Sequence, residues 1–376
     1  MVYLDNAATT YPKPEEVYKR VDYANRELAF NAGRGSYKKA KEVAKIIEDT
    51  RKTLAGFVNE QNYNNVIFST SSTEALNRII FGIEWKEGDN VYISPFEHNS
   101  IVRPLDKIRE LYNINIRIIE FDSNTWDVSD ELENIFAIHK PKYIFMSSKS
   151  NVCGLKLPYK KVFSMGKKYS SINILDASQS FGIDRQINGI DTDFIVFAGH
   201  KSLYSTFGVA GFIITGDYKL KTTIFGGTGS DSLNPKMPED LPGSYEAGSK
   251  NAVAIIGLNE SCKWLTRTDV EKKEIELTNY LYDKIKNIKN VICYLPEEKE
   301  KCVGILSINV KNYLADEVGK ILDEEFEICV RTGYHCSPYI HDFLGTKDFG
   351  GTVRISLNYF NTIEDIDKLI EALKTF

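Results

Sequence analysis

Apolar residues recur along this chain in two distinct patterns. Between Lys38 and Val58 they follow helical spacing, which predicts one amphipathic helix with an apolar face of Val43, Ile46, Ile47, Leu54 and Phe57. The middle of the chain instead contains short apolar runs, separated by helical stretches or short turns, at 66–68, 91–93, 116–119, 143–146, 172–175, 194–197 and 211–214. Apolar strands that are separated by helices are typical of a mostly parallel sheet with helices on both faces. We therefore predict an α/β fold.

The pattern changes after about residue 252. A long helix through Trp264, a charged helix over 270–288, an apolar run at 304–309 and a final helix from Ile363 predict a smaller α+β domain. Neither a repeat nor a linker rich in Pro, Gly or Ser marks the boundary. The predicted division is a large domain of residues 15–252 and a small domain of residues 1–14 and 253–376.

The composition argues against several classes of protein. The 376 residues contain 47 Lys and Arg against 52 Asp and Glu, which argues against nucleic acid as the main partner. No apolar run approaches roughly 18 residues, the length that a membrane span needs, and the chain opens without a secretory signal pattern. None of the six cysteines falls in a CxxC pair, so we expect a cytoplasmic protein without a disulfide framework.

Polar residues follow several of the predicted strands, where ligands of an open α/β sheet bind. Hydroxyl side chains after the first run enter a helix at Ser72 and Thr73, which suits either a bound phosphate or simple N-capping. Asp176 follows another run, and a carboxylate there favours either a cationic partner or solvent. Lys201 follows the run at 194–197, where burial would lower the pKa of the amine and make it nucleophilic toward a carbonyl.

Two further polar positions complete the set. His98 follows the second run and Asn151 follows the fourth, although either residue alone is typical of an ordinary loop. Together these residues offer an anion site, an aromatic ring that can stack, a carboxylate for a pyridinium nitrogen and an amine for an aldehyde. Pyridoxal 5'-phosphate (PLP) requires this combination of groups.

The sequence resembles the class V aminotransferase superfamily of PLP enzymes and, within it, the cysteine desulfurases, which are also active as selenocysteine lyases. The resemblance spans nearly the whole chain and implies the PLP-dependent transferase fold of type I. It rests on segments that match in the family's order, at 3–10, 72–75, 97–98, 150–151, 176–179, 199–201, 246–249, 331–336 and 353–356.

The resemblance implies which residues hold the cofactor. Lys201 would bind PLP covalently and shuttle protons, Asp176 would pair with its pyridine nitrogen, and the catalytic His98 would stack on its ring. Gln179 would hydrogen-bond its phenolic oxygen. The phosphate would be held by Ser72, Thr73, His200 and Ser249.

The resemblance also implies substrate and subunit contacts. Asn151 and Arg354 would bind the carboxylate of the amino acid, with Arg354 as a bidentate donor. Ser249 would reach the phosphate from the neighbouring subunit, so the protein would be a homodimer. Some positions depart from the family pattern, namely Ser148, Lys149, Ala198, 205–208 and Ser244.

Cys336 decides which reaction an enzyme of this family performs. It lies in a predicted loop, with Arg331, His335 and His341 close enough in sequence to favour its thiolate. As a nucleophile, Cys336 would take the sulfur of L-cysteine as a persulfide, and L-alanine would be released. The sulfur would pass to an acceptor protein that serves iron–sulfur cluster assembly, thiolation or selenium supply.

Three alternatives stand beside this hypothesis. If Cys336 is inert, the protein is a selenocysteine lyase or another transaminase, epimerase or lyase of the same family. A second alternative is a metal bound by His335, Cys336 and His341. The spacing of these residues matches no common zinc pattern, so we predict no metal. A non-catalytic scaffold protein would show neither cofactor absorbance nor a reaction with borohydride at Lys201.

Overall fold

The computed structural model of the chain describes residues 1–33, 35–229 and 233–376. Its α-helices are α1 (Glu15–Glu27), α2 (Lys38–Phe57), α3 (Ser72–Gly82), α4 (Asn99–Tyr112), α5 (Leu132–Ile138), α6 (Tyr159–Lys167), α7 (Ala252–Thr266), α8 (Val270–Ile285), α9 (Ala315–Phe326), α10 (Ile340–Phe343) and α11 (Ile363–Leu373). Its strands are β1 (Val2–Tyr3), β2 (Val66–Ser69), β3 (Asn90–Ile93), β4 (Asn115–Ile118), β5 (Tyr143–Ser147), β6 (Ile172–Asp176), β7 (Phe194–Ala198), β8 (Ala210–Ile214), β9 (Val291–Tyr294), β10 (Ile305–Val310), β11 (Ile328–Cys329), β12 (Arg331–Gly333) and β13 (Thr352–Ser356). Among the described residues, no helix has the length and apolarity to cross a bilayer.

The large sheet contains β2 to β8, the seven predicted strands, in the order β2-β8-β7-β6-β5-β3-β4. Strands β3 to β7 pair in parallel with one another, whereas β8 lies antiparallel to both β2 and β7. The predicted, mostly parallel sheet is confirmed. Alternate residues of β5 enter two different apolar cores, Ile144 and Met146 on one face and Tyr143 and Phe145 on the other. Because both faces are buried, residues 143–146 of this strand are continuously apolar.

Helices cover both faces of this sheet. On the first face, α2 contributes Val43, Ile47 and Leu54 to the core, which confirms the predicted amphipathic helix. On the second face, α3 and α4 pack through their own apolar residues. Helix α7 packs along α1 and α2 and buries Ile255 and Ile256 in the first core. The domain boundary after residue 252 stays a prediction.

The C-terminal part forms a second, smaller layer of helices on a sheet. Strands β12, β13, β10 and β9 form an antiparallel sheet in that order, and β1 pairs with β11. Helices α8, α9 and α11 surround a third core, to which Val2 and Leu4 also contribute. The first residues of the chain thus pack with the C-terminal part.

The carboxyl ends of β5, β6 and β7 lie side by side at one edge of the large sheet. Ser147, the last residue of β5, pairs with Asp176, the last residue of β6. Strand β7 runs parallel to β6 and ends at Ala198. Because parallel strands end at the same edge, the loops that carry Asn151 and Lys201 begin at neighbouring positions.

Candidate active site

The predicted site residues converge at this edge of the sheet. A cavity of about 90 Å³ opens there. Its walls include eight residues that were predicted for the site: Ser72, Thr73, His98, Asn151, Asp176, Gln179, His200 and Lys201. Hydrogen bonds through Asn151 and the start of α4 connect Arg354 and Cys336 to the same region.

Asp176 is a buried carboxylate without a cationic partner. Its side chain accepts hydrogen bonds from the backbone N–H of Ser178, at 3.0 Å, and from the Ser178 hydroxyl. No basic side chain of the described residues lies within ion-pair distance of it, although Asp176 is only 7% exposed. A buried carboxylate gains most from a positive charge brought to it, so Asp176 fits the ring nitrogen of PLP.

Lys201 lies on the loop that follows β7. A Cβ atom on Gly199 would lie 2.5 Å from the Val209 carbonyl oxygen, so only glycine allows the chain to pass there. The Lys201 carbonyl accepts hydrogen bonds from the Tyr204 backbone, at 2.9 Å, and from the Thr10 hydroxyl, at 3.2 Å. Burial lowers the pKa of Lys201, against the opposing charge of Asp176. A neutral amine is the nucleophilic form, so Lys201 fits the aldehyde of PLP.

His98 is a neutral ring of fixed orientation. It precedes α4, and its Nδ1 atom accepts the backbone N–H of Ser100 at 3.0 Å. Because a backbone N–H can only donate, the proton of the neutral ring is on Nε2. Burial and the charge of Lys201 lower the pKa of His98 to about 4, against the opposing effect of Asp176. His98 therefore presents an uncharged aromatic ring at neutral pH, which suits stacking on the cofactor.

The hydrogen bonds at the start of α3 distinguish N-capping from phosphate binding by its hydroxyl groups. Ser71 is the N-cap, because its side chain accepts the backbone N–H of Glu74 at 3.1 Å. The Ser72 hydroxyl instead lies 3.0 Å from the Ser178 hydroxyl at the cavity wall, and Thr73 is exposed beside it. Capping therefore uses neither of the two predicted phosphate ligands, and the first turn of the helix remains suited to an anion.

His200 carries a buried polar atom that lacks a partner. Its ring stacks on Phe207 with 4.5 Å between centroids. Its Nδ1 atom has no hydrogen-bond partner within the described ranges. Burial and the charges of Lys201 and Lys13 lower the pKa of His200 to about 3. A buried ring nitrogen left unpaired is costly, so a phosphate oxygen that accepts the N–H of this ring would satisfy it.

Gln179 also lines the cavity, and its amide donates to the Ala7 carbonyl at 2.9 Å. Since a primary amide has two N–H donors, one donor is left for the predicted bond to the cofactor. The carboxylate of Asp176, the amine of Lys201 and the unpaired nitrogen of His200 each match one functional group of PLP. The residues present therefore fit this cofactor.

Asn151 and Arg354 were predicted to bind the substrate carboxylate; Asn151 lines the cavity, and Arg354 is joined to it by a hydrogen bond. Arg354 Nη1 donates to the Asn151 carbonyl at 2.9 Å, and Nη2 donates to Asp5 Oδ1 at 2.6 Å. Its Nε atom is buried without a hydrogen-bond partner in the described part of the chain. Asp5 was not predicted to have a role, although it lies in the matching N-terminal segment. It fixes the guanidinium while leaving a donor free.

Cys336 is exposed on a tight turn after β12. Both His335 (φ 48°) and Cys336 (φ 57°) have left-handed backbone conformations, which cost roughly 1–2 kcal/mol each outside glycine. The Cys336 carbonyl accepts the backbone N–H of Asn99 at 2.6 Å, and the His335 carbonyl accepts from Asn151 Nδ2 at 2.8 Å. These bonds hold the turn against the loops that carry His98 and Asn151.

The two histidines near Cys336 do not supply the positive charge that the sequence suggested. His335 Nε2 donates to the Thr352 carbonyl at 3.1 Å, and His341 hydrogen-bonds Thr346. Burial lowers the pKa of both rings, so both are neutral. Among the residues that the structure describes, no group of His, Cys, Asp or Glu is arranged to hold a metal ion.

Ser249 lies outside this cavity. It is exposed, and it lines a separate cleft together with Gly33, Gly227 and Asn251. One copy of the chain therefore does not bring Ser249 to the phosphate side of the site. Its predicted contact requires a second copy.

Comparisons with known proteins agree with this geometry. The family model for aminotransferase class-V matches residues 2–369. A probable cysteine desulfurase of Methanothermobacter thermautotrophicus is 30% identical, over 99% of this chain and 94% of the relative. A cysteine desulfurase of Pectobacterium carotovorum is 26% identical, over 100% and 92% of the two chains. The apo structure of cysteine desulfurase from Thermococcus onnurineus superimposes with a TM-score of 0.90 at 25% identity, covering 100% of this chain and 94% of that one. The chain belongs to the PLP-dependent class-V aminotransferase family.

Proposed function

We propose that the protein is a cysteine desulfurase, which converts L-cysteine to L-alanine and leaves the sulfur as a persulfide on Cys336. The observation that carries the proposal is the position of this thiol. Cys336 is exposed on a turn that is hydrogen-bonded to the segments that carry His98 and Asn151, two residues of the cavity wall. The names of the relatives support the same activity.

The residues of the cavity would hold PLP at four places. Lys201 would bind its aldehyde, Asp176 its ring nitrogen, His98 its ring face, and the phosphate would lie against Ser72, Thr73 and His200. When bound, the cofactor supplies an electron-accepting ring that makes the α-hydrogen of an amino acid acidic. Because Asp176 is buried and lacks another cation, it favours the protonated form of that ring nitrogen.

Lys201 is the proton carrier for the α-carbon. With its pKa lowered by burial, the amine is available in the neutral form, and its Nζ atom accepts the α-proton once the substrate is bound. Arg354 and Asn151 orient the substrate by its carboxylate. The free Nε donor of Arg354 and its planar guanidinium suit a carboxylate better than a lysine ammonium would.

Cys336 performs the sulfur transfer. Its thiolate attacks the sulfur of bound L-cysteine, so the S–S bond forms as the C–S bond of the substrate breaks. The electron pair of the C–S bond stays with the carbon skeleton, which is protonated and leaves as L-alanine. Overall, one proton passes from the Cys336 thiol to the methyl group of alanine, and no external oxidant is needed.

Asp5 is expected to control substrate binding through Arg354. The Asp5→Asn variant keeps the shape of the side chain and removes its charge, so the guanidinium is held less firmly. We expect KM for L-cysteine to rise about tenfold, since small displacements of positioning groups have effects of this size or larger, while kcat changes less. Steady-state kinetics measure both constants. An unchanged KM would show that Asp5 does not position Arg354.

The active form is a homodimer in which Ser249 of each subunit reaches the phosphate of the other. Two observations support the homodimer. Ser249 is exposed and lies outside the cavity of its own subunit, and the rings of Phe207 and Phe225 are exposed apolar surface that a second subunit could cover. The persulfide on Cys336 passes to a sulfur-acceptor protein, for which the exposed thiol is accessible. A cytoplasmic location accords with six unpaired thiols.

The test of the proposed function is product analysis. Purified protein with PLP and a thiol reductant is supplied with L-cysteine, and alanine and sulfide are quantified. The proposal expects the two products in equal amounts. Formation of pyruvate and ammonia, or of a keto acid by amino-group transfer, would instead assign the protein to another activity of the family.

A further inference from the structure

A buried ion pair lies at the wall of the cavity, which Lys149 lines. Lys149 Nζ is 3.4 Å from Glu274 Oε2, and the two side chains are 7% and 6% exposed. Burial raises the pKa of Glu274, and the charge of Lys149 opposes that rise. Burying two charges costs more than a surface pair does, and an apolar pair of similar volume would often be at least as stable. Stability alone therefore does not account for this pair.

Tyr204 is a second polar neighbour of Glu274. Burial raises the pKa of the Tyr204 hydroxyl, and the nearby carboxylate of Glu274 adds to that rise. That hydroxyl accepts the backbone N–H of Tyr359 at 3.0 Å, so its own proton is available to Glu274. A Cβ atom on Gly304 would lie 2.8 Å from Glu274 Oε2, so only glycine leaves room for the carboxylate at the start of β10. We refer to Lys149, Tyr204, Glu274 and Tyr359 as the Glu274 cluster.

The Glu274 cluster joins three loops that carry site residues. Lys149 precedes Asn151 by two residues, and Tyr204 follows Lys201 by three. Tyr359 follows Arg354, on the segment after β13. Glu274 itself lies on α8, which packs in the C-terminal core. One carboxylate thus connects helix α8 to the loops after β5, β7 and β13.

We propose that Glu274 is a positioning residue, which holds the substrate-binding loop through Lys149 and the Lys201 loop through Tyr204. The inference rests on the proposed function for the identity of the substrate. We refer to the connection through Lys149 as the Lys149 arm and to the connection through Tyr204 as the Tyr204 arm. The two arms have separate consequences, because Asn151 acts in substrate binding whereas Lys201 acts in proton transfer. Loss of the Lys149 arm affects KM, and loss of the Tyr204 arm affects kcat.

Two double variants separate the arms without leaving an unpaired buried charge. Lys149→Met with Glu274→Gln removes the ion pair but keeps an acceptor for the Tyr204 hydroxyl. Lys149→Met with Glu274→Leu removes both contacts. Lys156→Met is the matched control, because Lys156 pairs with Glu271 on the same helix in a more exposed position. Thermal unfolding of each protein shows whether it is folded.

Steady-state kinetics on L-cysteine give the main result. We expect both double variants to raise KM about tenfold, and only the leucine variant to lower kcat as well, also about tenfold. The Lys156→Met control should stay within about twofold of wild type, as exposed pairs contribute little. The inference is overturned if both double variants behave like wild type, or if the control raises KM equally.

Hydrogen exchange tests the same inference without catalysis. We expect faster exchange of residues 148–155 in both double variants, and faster exchange of 357–361 only in the leucine variant. Unchanged exchange would overturn the inference. If wild-type protein makes no alanine from L-cysteine, the proposed function fails, and this measurement still decides whether Glu274 positions the loops.

Discussion

Replacing Cys336 with alanine is expected to abolish the release of sulfide and alanine from L-cysteine. The variant lacks the atom that accepts the substrate sulfur, so the C–S bond has no nucleophile to cleave it. We expect kcat to fall on the order of a thousandfold or more, as it does when a covalent nucleophile is removed from other enzymes. Alanine and sulfide are quantified under conditions in which wild-type protein turns over.

Two controls make this result specific to the thiol. The Cys336→Ala variant should bind PLP as wild type does, because no predicted cofactor contact uses this side chain. Cys329→Ala serves as the matched variant, since Cys329 is half-buried in β11 and lies outside the cavity. Full activity of Cys336→Ala on L-cysteine would show that the thiol is not the nucleophile. It would favour another reaction of the family, in which Cys336 is dispensable. Activity of the wild-type protein on L-selenocysteine but not on L-cysteine would identify a selenocysteine lyase.

Replacing Lys201 with alanine is expected to have the second large effect. The variant lacks both the amine that binds the cofactor covalently and the base that accepts the α-proton. Loss of a general base alone lowers rates by about 10²–10⁴-fold, so we expect at least the upper end of that range. Activity on L-cysteine measures the loss. Borohydride treatment followed by peptide mapping measures covalent attachment of PLP.

The Lys201→Arg variant is the control for charge. An arginine side chain is similar in length to lysine but stays protonated near Asp176, so it can neither attack an aldehyde nor accept a proton. We expect Lys201→Arg to be as inactive as Lys201→Ala, with no PLP fixed at position 201. PLP fixed by borohydride at another lysine of wild-type protein would contradict the assignment of Lys201.

The fold could be predicted because its strands are buried on both faces. Continuous apolar runs identified β2 to β8, and the parallel pairing of β3 to β7 brings the residues after those strands to one edge. That reasoning placed Asp176 and Lys201 in one cavity. The edge strand β4 begins one residue earlier than its apolar run and exposes Ile118, since edge strands are less buried.

The features that the sequence could not predict depend on contacts between residues that lie far apart along the chain. Asp5 and Arg354 are separated by most of the chain, and only the fold brings them to 2.6 Å. Lys149 meets Glu274 through the packing of α8, which no local pattern predicts. The charge of His335 was misjudged for the same reason, because its burial follows from tertiary packing. The spacing of residues along the chain indicates which residues are candidates for the site. Their protonation states depend on burial and on nearby charges in the folded protein.

Mass spectrometry of the protein after a single turnover tests the central claim most directly. PLP-loaded protein is mixed with one equivalent of L-cysteine in the absence of reductant, alkylated and digested. The account predicts one additional sulfur atom on the peptide that contains Cys336, matched by the alanine formed. Alanine released with an unmodified Cys336 peptide, or with the sulfur on another cysteine, would contradict it.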